Sequence, residues 1–202
     1  GPNFRSLPPK GVTQRYMPDI ENVLENNLAP TWEVVATVAR FYTFALTVRD
    51  NNLLGGQAVM DSMRVNVSGI AGPFLIQEPN TNVSWAAGTT QTVTWDVAGT
   101  TANNINTAYV DIFLSTDGGH TYPVQLAFKV PNDGNENLTV PNITGPTNRV
   151  MVKGFENIFY DLTNTDFTIT APESTMAIAP AEDQNSTACA GQPVSYTLAY
   201  NA

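Results

Sequence analysis

The chain has 202 residues, with 9 Lys and Arg against 18 Asp and Glu, a formal charge of −9. That balance excludes a nucleic-acid partner, which needs clustered cations, and no apolar run reaches the roughly 18 residues of a bilayer-spanning helix. One histidine and one cysteine leave few routes to nucleophilic or metal catalysis, and Cys189 alone gives no internal disulfide framework.

Charged residues make up 13% of the chain, about half the usual ~25%, so neutral Thr and Asn must supply the polar surface. Thr packs well on a pleated sheet and Asn suits turns. With 14 Gly and 14 Pro, this composition predicts an all-β protein: tandem immunoglobulin- or fibronectin-III-like β-sandwiches, with one short helix in the first. Gly1-Pro2 fits a protease-cleavage scar, and the chain reads as a piece of a longer protein.

Residues 3–18 carry Pro8, Pro9 and Pro18 and read as extended coil. Asp19 to Asn27 is the one helical candidate. Ile20, Val23 and Leu24 share a face, Asp19 is placed to cap free N–H groups, and the helix ends before Pro30. The period then changes to two. Tyr42, Phe44, Leu46 and Val48 alternate with Thr43, Ala45, Thr47 and Arg49, and Met63, Val65 and Val67 return after an Asn/Gly-rich loop. This hairpin is expected to belong to a small sandwich over residues 1–68, with further strands upstream.

Ser68–Pro73 is a small-residue linker. A second sandwich is expected over 73–170. Its strands are read at Phe74–Ile76, Val83–Trp85, around Val93, Trp95 and Val97, across a hairpin centred on Asp117-Gly118, around Leu138 and Val140, at Val150 and Val152, and at Phe167 and Ile169. Trp95 alternates with core positions and is the expected anchor. Residues 171–202 read as a second linker and the start of a third β domain, in which Val194, Tyr196, Leu198 and Tyr200 alternate with polar positions.

Several phrases in order carry a resemblance. They are Arg5-Ser6-Leu7-Pro8-Pro9, Tyr16-Met17-Pro18, Thr31-Trp32-Glu33-Val34, Leu46-Thr47-Val48-Arg49-Asp50-Asn51, Gly72-Pro73-Phe74, Glu78-Pro79-Asn80, Thr92 to Thr100, Ser115 to Gly119, Val130 to Gly134 and Asn164 to Ile169. Together they resemble the non-catalytic region downstream of the protease domain in secreted reprolysin-like zinc metallopeptidases of Bacteroidetes-type bacteria. The resemblance implies a secreted or cell-surface address and neighbouring domains of the parent chain as partners. Those enzymes bind zinc through H-E-x-x-H-x-x-G-x-x-H. One histidine cannot build that site, so the resemblance implies a peptidase parent and no catalytic role for this stretch.

The candidate sites are few. Ser115, Asp117, Gly119 and Tyr122 match an Asp-box turn with Tyr in place of Trp; its expected role is to brace the hairpin, with the Asp accepting backbone N–H bonds over a packed aromatic. His120 lacks a local nucleophile motif and reads as an exposed loop residue. Asp133, Asn135 and Asn137 place oxygens at alternating positions like the first half of a calcium loop, yet position 12 is Thr144 rather than Glu. Asp50, Asn51 and Asp61 form a second oxygen set, a candidate Ca²⁺ site stiffening the domain junction. Ca²⁺ is the one cofactor these residues suggest, and a polar turn is the plainer reading of both sets.

Asp61-Ser62-Met63 fits an Asp-Ser-aliphatic O-glycan acceptor, with Ser62 as the modified residue. The sequons at Asn66, Asn82, Asn137, Asn142 and Asn185 are what an Asn/Thr-rich chain produces by chance. Trp85, beside Pro79 and Gly88, is the candidate exposed aromatic for a glycan ligand. Three functions follow in order of preference: a non-catalytic accessory or spacer region, an adhesive or carbohydrate-binding surface module, and a carboxylate-only hydrolase.

Overall fold

The computed structural model describes residues 4–6, 8, 14–50, 52–172 and 190–191. Asn51, Cys189 and the alternating stretch 194–200 lie outside the described residues. The molecule is mostly β, with one helical turn, α1 (Ile20–Leu24). It is shorter than the 19–27 expected, and Asp19 makes no side-chain capping bond. Instead the Asp19 backbone N–H donates to Glu33 Oε2 at 2.8 Å. A helix of five residues with no buried side chain takes its place from its neighbours rather than from propensity.

Strands β1 (Arg40–Arg49) and β2 (Ala58–Val67) form an antiparallel ribbon in continuous register, from Arg40 opposite Val67 to Arg49 opposite Ala58. The alternation predicted this hairpin. The two layers expected for residues 1–68 are not seen: among the described residues the sheet has two strands. The period-two pattern places Tyr42, Phe44, Leu46, Val48, Val59, Met63 and Val65 on one face. Phe4 covers one end of it, its ring 5.2 Å from Tyr42 and 5.3 Å from Phe44. Further along, Leu46 and Val59 are 67% and 69% exposed.

The remaining strands build a two-layered, sandwich-like body. They are β3 (Leu75–Glu78), β4 (Ser84–Ala86), β5 (Thr90–Asp96), β6 (Tyr109–Ser115), β7 (Val124–Pro131), β8 (Asn135–Thr139), β9 (Gly145–Gly154), β10 (Tyr160–Leu162) and β11 (Phe167–Thr170). One sheet runs β3-β5-β8; the other runs β4-β11-β9-β6-β7, with β10 also on β9. All pairs are antiparallel except β4 with β11. Ile76, Val93, Trp95 and Leu138 from the first sheet meet Trp85, Val110, Ile112, Leu114, Val150, Val152, Phe167 and Ile169 from the second. Fully burying each such side chain contributes about 1.5–3 kcal/mol, so this core holds the fold.

Buried polar groups complete the joints. Trp95 Nε1 donates to Asn132 Oδ1 at 2.9 Å, and Asn132 Nδ2 donates to Thr100 Oγ1 and the Thr107 carbonyl. Asn148 donates to the Gly145 and Phe167 carbonyls, where the β9–β11 register slips between Phe167 and Ile169. At one end of the layers, Asp161 Oδ2 accepts the Ile76 N–H at 2.6 Å, and Asn80 Oδ1 accepts the Asn164 N–H at 2.6 Å. These side chains tie one sheet to the other.

Candidate functional site

The Ser115–Tyr122 turn joins β6 to β7 and is closed by hydrogen bonds among Ser115, Asp117, Gly119 and Thr121. Ser115, fully buried, accepts the Gly119 N–H at 2.8 Å and donates to Asp117 Oδ1 at 2.6 Å. Asp117 also accepts the Thr121 N–H at 2.9 Å and the Thr121 hydroxyl at 2.6 Å. The turn is bolted to the β9 hairpin through Gly118 N–H to the Thr147 carbonyl and Thr147 Oγ1 to the Thr116 carbonyl, both 2.9 Å. Gly118 and Gly119 lie at φ +74° and +97°, a region glycine enters without steric cost.

Partial burial of Asp117 opposes ionisation. The hydrogen bonds from Ser115 and Thr121, with the charge of His120, outweigh it and lower its pKa to about 2. Tyr122 packs beneath the turn, and burial pushes its phenol well above the ordinary range. Its hydroxyl is buried without a hydrogen-bond partner among the described residues. Tyr160 and Tyr16 are likewise raised by burial. Asp117 thus accepts a backbone N–H within the turn, and the Tyr122 hydroxyl lies close to Gly119.

His120 is exposed, as the sequence suggests, and its Nδ1 lies 2.9 Å from Glu21 Oε1. That contact with a residue 99 positions away was not legible in the sequence. Neither was the ion pair of Arg15 with the buried Glu33.

Among the described calcium candidates, Asp50 and Asp61 stand apart, and Asp133 leads into a strand. Asp50 Oδ1 accepts the Asn52 N–H at 3.1 Å and the Gln57 N–H at 3.0 Å, closing the ribbon loop. Asp61 pairs across from Leu46, four residues back along β1 from Asp50, a separation of about 13 Å at strand rise. Asp133 Oδ1 accepts the Asn135 N–H at 3.4 Å, and Asn135 and Asn137 then enter β8 opposite Thr94 and Thr92. Asn137 Oδ1 accepts the Thr92 hydroxyl at 2.7 Å. An extended strand cannot curl its oxygens about one ion, so this set is a strand start rather than a loop. Among the described residues no group of three or more His, Cys, Asp or Glu is arranged to hold a metal.

Trp85 is a correction: it is buried, its ring 4.6 Å from that of Phe167. It sits mid-strand in β4 with Ser84 pointing out, so alternation turns it inward and removes it as a stacking platform. Ser62 lies exposed on β2 opposite Ala45, reachable by a modifying enzyme. An exposed ring set lies elsewhere. Phe128 meets Phe155 edge-on at 5.5 Å, and Lys129 Nζ lies over the Tyr109 and Phe155 rings at 5.3 and 5.0 Å. Alternation puts Phe128 on the core-facing set with Leu126 and Val130; both Phe128 and Lys129 are exposed because the β6–β7 register shifts between Val110 and Ile112 and Lys129 lies at φ +51°, and Phe155 joins them only through the fold. No protein-family model matches the chain, and no curated protein matches it.

Proposed function

We propose that this polypeptide is a non-catalytic accessory or spacer region of a secreted or cell-surface bacterial protein, built on immunoglobulin- or fibronectin-III-like topology. The strand order β3-β5-β8 against β4-β11-β9-β6-β7 supports that topology. The residue phrases quoted above support a zinc metallopeptidase as the parent. One observation carries the reading: among the described residues, six aspartates are engaged in holding the backbone or an ion pair. Asp50, Asp96, Asp111, Asp117 and Asp161 each accept a main-chain N–H, and Asp166 pairs with Arg149 at 2.6 Å. A carboxylate aimed at a substrate would instead face a cleft, with a pKa matched to proton transfer.

Its partners are then neighbouring domains of the parent chain and, through its surface, protein or glycan substrates of that parent. No helix among the described residues is long and apolar enough to cross a membrane. The adhesive alternative rests on the Phe128 ring set, whose edge-on geometry of 84° offers no coplanar platform for a sugar. The purified chain should not hydrolyse casein or chromogenic glycosides between pH 4 and 9, with or without added Zn²⁺ or Ca²⁺. Turnover proportional to protein concentration would refute the reading.

A further inference from the structure

We propose that the Ser115–Tyr122 turn is a docking seat for residues 16–24, and that this contact locks the ribbon and the sandwich-like body into one rigid joint. A Cβ placed on Gly119 would lie 2.5 Å from Leu24 Cδ2, so the helix side chain rests directly on the glycine. Beside it Glu21 reaches His120 at 2.9 Å, and the Tyr16 ring meets Tyr160 edge-on at 5.2 Å.

The same segment is anchored to the ribbon at its other end. The buried Glu33 accepts from Arg15 and from the Asp19 N–H. Glu33 also pairs with Phe4 in an antiparallel bridge, and the Phe4 ring lies on the ribbon face. The ribbon is therefore held at two places: covalently through Ser68–Pro73, and through the strap seated on the turn. One small-residue linker alone leaves two bodies free to swing; two attachments fix an angle. The turn braces its own hairpin, and it also serves as the receptor for a segment of the same chain.

The use of such a joint rests on the spacer reading above, whereas its stiffness is a property of the chain itself and is measured without reference to any activity. Spin labels at Thr47→Cys on the ribbon and Thr139→Cys on β8, in a Cys189→Ser background, report the inter-body distance by pulsed electron resonance. The expected result is one narrow distance distribution that broadens at least twofold in Leu24→Asp and in Gly119→Ala. Leu24→Asp lies outside the sandwich-like body, so an unchanged near-ultraviolet circular dichroism spectrum shows that body still folded. A distribution already broad in the parent chain, or one that stays narrow in Leu24→Asp, overturns the proposal.

Discussion

Asp117 and Asp161 are displaced in opposite directions, and the displacement sets how each acts on stability. Asp117 is lowered to about 2 by the Ser115 and Thr121 hydrogen bonds acting against its partial burial. Its folded pKa is below the unfolded one, so its contribution is present above about pH 4 and is lost as pH falls toward 2. Asp161 is raised because burial outweighs the N–H bonds from Ile76 and Leu162. Its contribution is full below about pH 4 and declines as pH rises through its folded pKa. Urea denaturation from pH 2 to 7 should therefore show Asp117→Asn flattening the loss of stability on the acid side. Asp161→Asn should instead gain relative to the parent chain as pH rises above 4. Equal pH profiles for both variants would refute these assignments. Asn132 carries a plainer expectation. Asn132→Ala leaves the indole N–H of Trp95 buried without its acceptor and should cost about 1–3 kcal/mol, read from the same denaturation curves.

Among the elements, the ribbon and the sandwich-like body differ in what supports them. A two-stranded hairpin is marginal in water unless a layer covers it. Phe4 covers the near end of the ribbon face, while Leu46 and Val59 stay largely exposed. Strands β6 and β9 lie inside a five-strand path with Val110, Ile112, Val150 and Val152 wholly buried. Hydrogen exchange should rank the amides of 43–49 and 58–64 at least tenfold faster than those of 110–114 and 149–153. Comparable protection in the two regions would show a cover over the ribbon.

The strands were legible because alternation is local, and the hairpin of 109–131 could be read from its turn residues alone. Strand β10 (Tyr160–Leu162) was not read. Three residues give no period, and its place is set by pairing with Lys153, Val152 and Met151. Trp85 was misread for a related reason. Its strand is three residues long, too short for its alternation to be read in the sequence, and its burial shows only in the contact with Phe167. The spacing of the calcium sets could not show that Asn135 and Asn137 enter a strand, which spreads oxygens that are close in sequence.

Across the described residues, much of the polar chemistry is directed inward, to backbone N–H groups, turn closures and the tie between sheets. The contacts that make this so, such as Asp161 with Ile76 and Glu21 with His120, join residues 85 and 99 positions apart. They could not be read from spacing, whereas the scarcity of His and Cys could. Natural catalytic and binding groups are commonly held at some expense of stability, so that replacing them stabilises the fold; bracing groups behave the other way. Thermal unfolding of Asp96→Ala, Asp111→Ala, Asp117→Ala and Asp166→Ala, each made singly, separates the two cases. Every one of the four should melt lower than the parent chain. Asp117→Ala should fall furthest, because three hydrogen bonds are lost together, at about 4–8 °C per kcal/mol for a body of this size. A melting temperature raised by any of these replacements would mark a carboxylate kept for chemistry rather than for the fold.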